Sequence, residues 1–231
     1  MKAMILAAGL GTRLRPITDS VPKPLIEING KPVIEYTLEA LKRAGVDSVI
    51  INLHHLGNMI KDRLGDGSRF GLAIRYSPEP EILGTGGAVL AVKALLDETF
   101  FLINGDVLFD LDLAVLPPLA ERTGADAVMV VRPPDTDQAG IANVYIDKDS
   151  YVRGLFTPCP GTSGYVFTGI QLLTPGVLSC IPSTIRQPST TAHMYPELLR
   201  RGGRIAGYVH RGLWTDIGSH ESLGQARRIY R

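Results

Sequence analysis

Two spacings alternate along the first half of the chain. Short apolar runs occur at 3–8 (AMILAA, with no alternation, as expected of a strand buried on both faces), 48–53 (SVIINL), 99–104 (TFFLIN) and 125–131, and a further strand is expected over 72–76. Between them, apolar positions at helical spacing predict helices over 33–44, 56–64, 88–96 and about 113–123. Strands alternating with helices indicate βαβ units, an α/β class and a mixed, mostly parallel central sheet, with ligand loops at the carboxyl ends of strands. After residue 131 the pattern predicts a hairpin, 140–146 and 151–156 joined by 147–150, then a strand over 164–172. A Ser/Thr/Pro-rich loop over 182–191, a helix over 195–201, a strand over 204–209 and a terminal helix over 220–230 complete it.

Composition narrows the class. The 231 residues are 45% hydrophobic and 20% charged, ordinary for a globular protein with a sizeable core. A net charge of +1 argues against general nucleic-acid or membrane-surface binding. Cys159 and Cys180 form no CxxC pair, and none of the five histidines (54, 55, 193, 210, 220) has the i, i+4 spacing of a helical zinc site, so all are read as structural or surface residues. No stretch of eighteen apolar residues occurs and the N-terminal apolar run is too short for a signal sequence, which predicts a cytoplasmic protein with free thiols.

Candidate chemistry concentrates at strand ends. The first strand runs into Gly9-Leu10-Gly11-Thr12-Arg13, followed by Arg15 and Lys23: glycines that admit close backbone approach, with fixed cations nearby, read as a polyphosphate site. The dinucleotide fingerprint fails, because Leu14 stands where its third glycine belongs, and the Walker pattern is absent. A second Gly-rich stretch, Leu83-Gly84-Thr85-Gly86-Gly87-Ala88, precedes a helix for which Thr85 is a candidate N-cap. The strand 99–104 delivers Asp106 just beyond its end, where a carboxylate is a turn residue or a metal ligand, and Asp110 and Asp112 read as turn and cap residues. Near the end stands Trp214-Thr215-Asp216-Ile217-Gly218-Ser219, in which Ser219 can cap the terminal helix and Trp214 is read as core.

LAAGLGTRLRPIT with SVPKPL, LGTGGA, NGD and WTDIGS together resemble the sugar-1-phosphate nucleotidyltransferases, which make nucleoside-diphosphate sugars from a nucleoside triphosphate and a sugar 1-phosphate. The resemblance implies a Rossmann-like three-layer sandwich, with a nucleotide-binding part over about 1–131 and a sugar-phosphate-binding part over about 132–231, and no C-terminal β-helix domain. It implies that Leu6, Ala8, Gly9, Gly11, Thr12, Arg13, Lys23, Glu79 and Gly84 surround the nucleotide and that Arg13 and Lys23 are catalytic. Asn104, Gly140, Thr168 and Gly169 would meet the sugar phosphate, and Asp106 and Asp216 would hold Mg²⁺. The polar loop over 133–138 would overhang the sugar site. Partners are the two substrates, with no nucleic acid and no membrane; a homo-oligomer is compatible with this.

The lead substrate pair is GTP with mannose 1-phosphate. LGTGGA resembles the guanylyltransferase form of the loop, and a carboxylate at Glu79 or Glu81 accepts from guanine N1–H and its amine together. The alternative is UTP with N-acetylmuramic acid 1-phosphate. Where many relatives carry Glu-Lys-Pro for the sugar phosphate, this chain has Leu155-Phe156-Thr157-Pro158-Cys159-Pro160. That departure also sustains a reading of another class, a nucleotide-sugar-binding regulatory homologue.

Overall fold

A computed structural model of the chain describes residues 1–134 and 143–230. In chain order its strands are β1 (Lys2–Leu6), β2 (Glu27–Ile28), β3 (Lys31–Pro32), β4 (Ser48–Leu53), β5 (Ala73–Pro78), β6 (Phe100–Asn104), β7 (Val107–Phe109), β8 (Ala127–Arg132), β9 (Val144–Ile146), β10 (Val152–Leu155), β11 (Ser163–Leu173), β12 (Ile205–Val209) and β13 (Trp214–Asp216). The helices are α1 (Ile17–Ser20), α2 (Val33–Arg43), α3 (Gly57–Leu64), α4 (Gly84–Ala91), α5 (Leu116–Thr123), α6 (Tyr195–Arg200) and α7 (His220–Ile229). The α/β class with a mixed sheet and flanking helices is as expected.

Packing divides the chain into two interleaved units. One comprises Met1–Ile82, Ile103–Leu113 and Gly212–Arg231, and the other Leu83–Leu102 and Ala114–Arg211. The expected division at about residue 131 is one by ligand, which a division by packing does not address.

In the first unit β1, β4 and β5 run parallel, with Ile5 opposite Ile51 and Ile51 opposite Tyr76. Ala3, Met4 and Ile5 are wholly buried, as are Val49 and Ile51, which is why the β1 and β4 runs do not alternate, whereas β5 exposes Ala73 and Arg75 and buries Ile74. Helix α2 buries Val33, Ile34, Thr37, Leu38 and Leu41 on one stripe. Helix α7 packs Leu223 and Ala226 into a cluster with Leu14, Ile26, Ile28, Val33, Leu108 and Ile217. The end of the chain is thereby anchored to the loop after β1.

In the second unit β8 and β12 are parallel, while β8–β11, β11–β9 and β9–β10 are antiparallel. Tyr195 on α6 is fully buried and its hydroxyl donates to Gln171 Oε1 on β11; burial pushes the phenol pKa up, which keeps it a donor.

Several expected boundaries move. The helix predicted over 88–96 begins at Gly84 and ends at Ala91, where Val92 N turns to Val89 O and a 3₁₀ turn takes over. Its N-cap is Leu83, and Thr85 Oγ1 instead accepts from Thr190 N at 2.9 Å. The helix expected from about 113 starts with a 3₁₀ turn before α5. The strand expected over 151–156 stops at Leu155, because Phe156 turns to φ +64°. Within the loop expected over 182–191, Ser189 already caps a π-helical turn over Thr190–Met194. Trp214, expected in the core, is half-buried. The residues expected to open the hairpin (140–142), and Asp135 to Gln138 of the polar loop, lie outside the described residues.

Gly105, between β6 and β7, donates its N–H to Leu6 O at 2.9 Å, and a methyl group there would lie 2.8 Å from that same oxygen. Backbone cannot yield to it as a flexible side chain would. Gly105→Ala is therefore expected to destabilise the protein by about 1–3 kcal/mol, seen as a lower urea midpoint; an unchanged midpoint would mean that the end of β1 moves freely.

Candidate active site

The candidate site in the first unit begins where β1 ends. Ala7 N donates to Asn52 Oδ1 at 2.8 Å, so the end of β4 holds the first residue of the loop. Gly9 faces open space: a methyl group on it would meet no atom within 4 Å. Gly11 has φ +65°, its carbonyl accepts from Thr18 Oγ1 at 2.8 Å, and a methyl group there would clash with Thr18 Cγ2. The first glycine thus leaves room outside the protein and the second is demanded by the turn. A 3₁₀ turn over Thr12–Leu14 follows, burying Leu14 and leaving Arg13 exposed.

Lys23 lies in a 3₁₀ turn between Pro22 and Pro24, and its ammonium is paired with Asp106 Oδ2. The two side chains are 13% and 25% exposed, so the pair is largely shielded while one edge stays open to a ligand. Asp216 reaches the same place through strand pairing. β13 runs antiparallel to β7 with Asp216 opposite Val107, and Ile217 N donates to Asp106 O at 2.9 Å. Asp216 Oδ1 accepts from Gly218 N at 3.0 Å. A methyl group on Gly218 would lie 2.9 Å from Arg13 Nη2 and 3.1 Å from Asp216 Oδ1, so guanidinium and carboxylate flank one glycine. Two cations and two carboxylates, with no net charge among them, converge from three distant stretches.

This donor set suits a hard divalent cation. It is all oxygen, with two carboxylates from neighbouring register positions. Among the described residues no three His, Cys, Asp or Glu side chains form a complete metal cage. Phosphate oxygens and waters would fill the remaining positions, as Mg²⁺ accepts.

In comparison with known proteins, residues 2–231 match the family model described as nucleotidyl transferase. The chain belongs to the nucleotidyl transferase family. It is 37% identical, over 99% of its length and 98% of the relative's, to the N-acetylmuramate alpha-1-phosphate uridylyltransferase of Neisseria meningitidis serogroup B. It is 34% identical to a probable mannose-1-phosphate guanylyltransferase 1 of Oryza sativa subsp. japonica, covering all of this chain and 64% of that one. Among solved structures, a putative glucose-1-phosphate thymidylyltransferase from Bacillus anthracis, in complex with a sucrose, matches with TM-score 0.87 at 26% identity, covering 100% of this chain and 95% of the other. HddC from Yersinia pseudotuberculosis, complexed with GMP-PN, matches with TM-score 0.82 at 25% identity, over 100% of this chain and 99% of that one. The activity is that of a sugar-1-phosphate nucleotidyltransferase, an enzyme of EC 2.7.7 type.

For this nucleotidyl transferase the remaining expected site residues fall as follows. Leu6 ends β1 and Ala8 is buried in the loop beyond it. Asn104 is half-buried at the end of β6. Glu79 is 4% exposed, and its Oε1 accepts from Asn52 Nδ2 at 2.7 Å. Glu81 is exposed. In the second unit Gly84 has φ +74°, and a methyl group on it would lie 2.9 Å from Pro188 O, so protein packing alone already demands glycine there. Thr168 is buried and donates to Val130 O at 2.7 Å, beside Gly169 at φ +78°. Gly140 lies outside the described residues.

Asn52, which the sequence did not single out, and His55 and His220, expected to be structural or surface residues, support the candidate site. Asn52 bridges Ala7 N and Glu79 Oε1, tying together the ends of β1, β4 and β5. His55 Nε2 lies 2.8 Å from Thr18 O, and His220 Nε2 lies 2.9 Å from Arg15 O, so both histidines brace the segment after β1. The histidines carry no sequence signal for this, but Asn52 does: it is the one amide near the end of an otherwise apolar strand. Asn52→Ala takes the acceptor from Ala7 N and one donor from the buried Glu79 carboxylate, and a stability loss of about 2–4 kcal/mol in urea denaturation is expected; a loss below about 1 kcal/mol would mean that water replaces the amide.

Proposed function

We propose that the chain transfers a uridylyl group from UTP to N-acetylmuramic acid 1-phosphate, giving the UDP-sugar and pyrophosphate. The observation that carries the choice of base is the commitment of Glu79. Its carboxylate accepts from Asn52 within a buried network that holds the β1 loop, so it serves the scaffold rather than a guanine edge. End-to-end similarity to the Neisseria uridylyltransferase supports the same reading. The GTP and mannose 1-phosphate pair retains its own support, in the LGTGGA stretch and in the guanylyltransferase relatives.

The chemistry follows from charge. An oxygen of the sugar phosphate attacks the α-phosphorus of the triphosphate in line. A new P–O bond forms as the bond to the bridging β-phosphate oxygen breaks, and pyrophosphate leaves with the electron pair. The nucleophile is already anionic and needs no general base. The barrier lies in bringing two anions together and in the charge that grows on the leaving group. Asp106 and Asp216 would hold Mg²⁺, which supplies charge neutralisation and a template for phosphate oxygens. Arg13 would bind the β and γ phosphates. Lys23, within reach of the carboxylate Asp106, would bind the α-phosphate or the incoming phosphate. Gly9, with open space before it, would admit the triphosphate chain, and Leu6, Ala8, Gly11 and Thr12 would line its path.

Pyrophosphate release across a panel of triphosphates and sugar 1-phosphates tests the substrates. UTP with N-acetylmuramic acid 1-phosphate should give the highest kcat/KM, and a clear preference for GTP with mannose 1-phosphate would replace this reading with the other. Glu79→Gln should leave the ranking of bases unchanged, since an amide oxygen still accepts from Asn52; a changed ranking would make Glu79 a base reader after all. Asp106→Asn and Asp216→Asn should each lower kcat by about 100-fold or more in Mg²⁺, with Tm little altered. Near-normal turnover in either variant would remove that residue from the metal site.

A further inference from the structure

Two adjacent histidines at the carboxyl end of β4 take different partners, both within the first unit. His54 Nδ1 lies 2.7 Å from Glu79 O, just beyond β5, and Glu79 N donates to Leu53 O at 2.7 Å. His55 Nε2 lies 2.8 Å from Thr18 O in the segment after β1. A carbonyl oxygen only accepts, so the bonded ring nitrogen carries the proton in each case. The turn that follows is strained. Leu56 has φ +53°, an outlier for so bulky a residue, and it stands at the N-cap of α3, where its side chain supplies no acceptor. Such a conformation persists only where the surroundings over-determine it, and it clusters at functional sites. Here Gly57 N donates to His54 O at 3.3 Å and Met59 N to Leu56 O at 3.0 Å. A methyl group on Gly57 would lie 2.9 Å from Leu53 Cβ. The turn is held in one shape, and that shape puts the His55 ring on Thr18 O.

Thr18 is the next link. It is 1% exposed, and its Oγ1 donates to Gly11 O at 2.8 Å. Gly11 O also accepts from Leu14 N at 2.9 Å, closing the 3₁₀ turn that carries Arg13. The methyl of Thr18 fills the space beside this glycine, since a Cβ on Gly11 would lie 2.7 Å from Thr18 Cγ2. The loop after β1 is bonded to Asn52 at Ala7 and buried again at Leu14, while Gly9, Leu10, Thr12 and Arg13 between them are exposed. A stretch with so little burial opens easily and takes its order from the few bonds that reach it. One imidazole therefore fixes, through one buried threonine, the glycine on which the loop turns.

We infer that His55 is a positioning residue for the nucleoside triphosphate, acting through Thr18 on the Gly11 turn and on Arg13 beyond it. The inference rests on the reading of the loop after β1 as the triphosphate site, and not on the choice of base or sugar. A site binds an anion well when its backbone donors and cations stand in place before the ligand arrives. Without His55, Thr18 and Gly11 would sample other positions, and binding would have to order them. Asp106, Asp216 and Lys23 stand on other elements, so a triphosphate once bound would keep those partners.

Steady-state kinetics with the substrate pair that the wild type uses fastest tests it. His55→Ala should raise the triphosphate KM about tenfold, with kcat within about threefold and the acceptor KM within about twofold. His55→Gln, whose amide nitrogen can stand where Nε2 stood, should recover most of the difference. Thr18→Val keeps the shape and removes the hydroxyl. Combined with His55→Ala it should raise the KM little beyond the larger single effect, because both break one chain of contacts. Tyr36→Phe removes a 2.9 Å bond to Ile28 O in the same unit and reports what lost stability alone does; its triphosphate KM should stay within about twofold of wild type. A triphosphate KM within about twofold of wild type in His55→Ala overturns the inference, as do effects of His55→Ala and Thr18→Val that simply multiply. An equal rise in the KM of both substrates overturns it too, as the mark of a merely structural role. Arg13→Ala separates the two readings. If it leaves the triphosphate KM unchanged, the triphosphate site itself falls and the inference with it; a rise there without one in His55→Ala removes the inference alone.

Discussion

The antiparallel pairing of β13 with β7 is the constraint on which the candidate site depends. Asp106 and Asp216 are far apart along the chain, and each alone would be an exposed turn carboxylate. Pairing Asp216 opposite Val107, with Ile217 N bonded to Asp106 O, holds the backbones of both aspartates at adjacent register positions. Strand pairing positions residues more rigidly than loops do, because alternate residues of an antiparallel pair exchange backbone hydrogen bonds. Helix α7 then locks the arrangement: Ser219 and Ser222 cap it reciprocally, and its apolar face buries against Leu14 of the opening loop.

Charge balance explains how such a cluster persists without a ligand. Lys23 neutralises Asp106 at a largely shielded position, and Arg13 stands beside Asp216 across Gly218. An unpaired carboxylate at either place would be costly to keep ionised. The same cations are those proposed to meet the triphosphate, so on that proposal charge compensation within the protein and recognition of the substrate would draw on one set of side chains. Asn52 works at the other side of the loop, where a single amide bonds a backbone donor and a buried carboxylate at once.

Much of this was legible before any coordinates. The apolar runs at 3–8 and 48–53 became the buried parallel strands β1 and β4, because strands covered on both faces have no polar side to record. The glycine and cation spacing of the opening loop, and the two aspartates, marked a candidate site because few structural roles ask for those residues together. Glu79 and Gly84 were harder. A carboxylate before a Gly-rich loop suggests recognition of a base, yet Glu79 is held by Asn52, and Gly84 must be glycine because Pro188 O lies against it. Neither partner is near in sequence, so local pattern gave no warning. Phe156 is the converse case: its residue type suggests core, and its backbone angle and exposure contradict that.

The sequence alone therefore determined the α/β class, the order of most elements, the reaction class and the charged residues available for it, since periodicity and residue chemistry are local properties. Tertiary structure decided which of those residues meet. It paired Lys23 with Asp106, set Arg13 beside Asp216, turned Glu79 inward and Phe156 outward. Each of these is a contact or an exposure created by chain segments that become neighbours only when strands pair and helices dock, and no spacing along the chain encodes it.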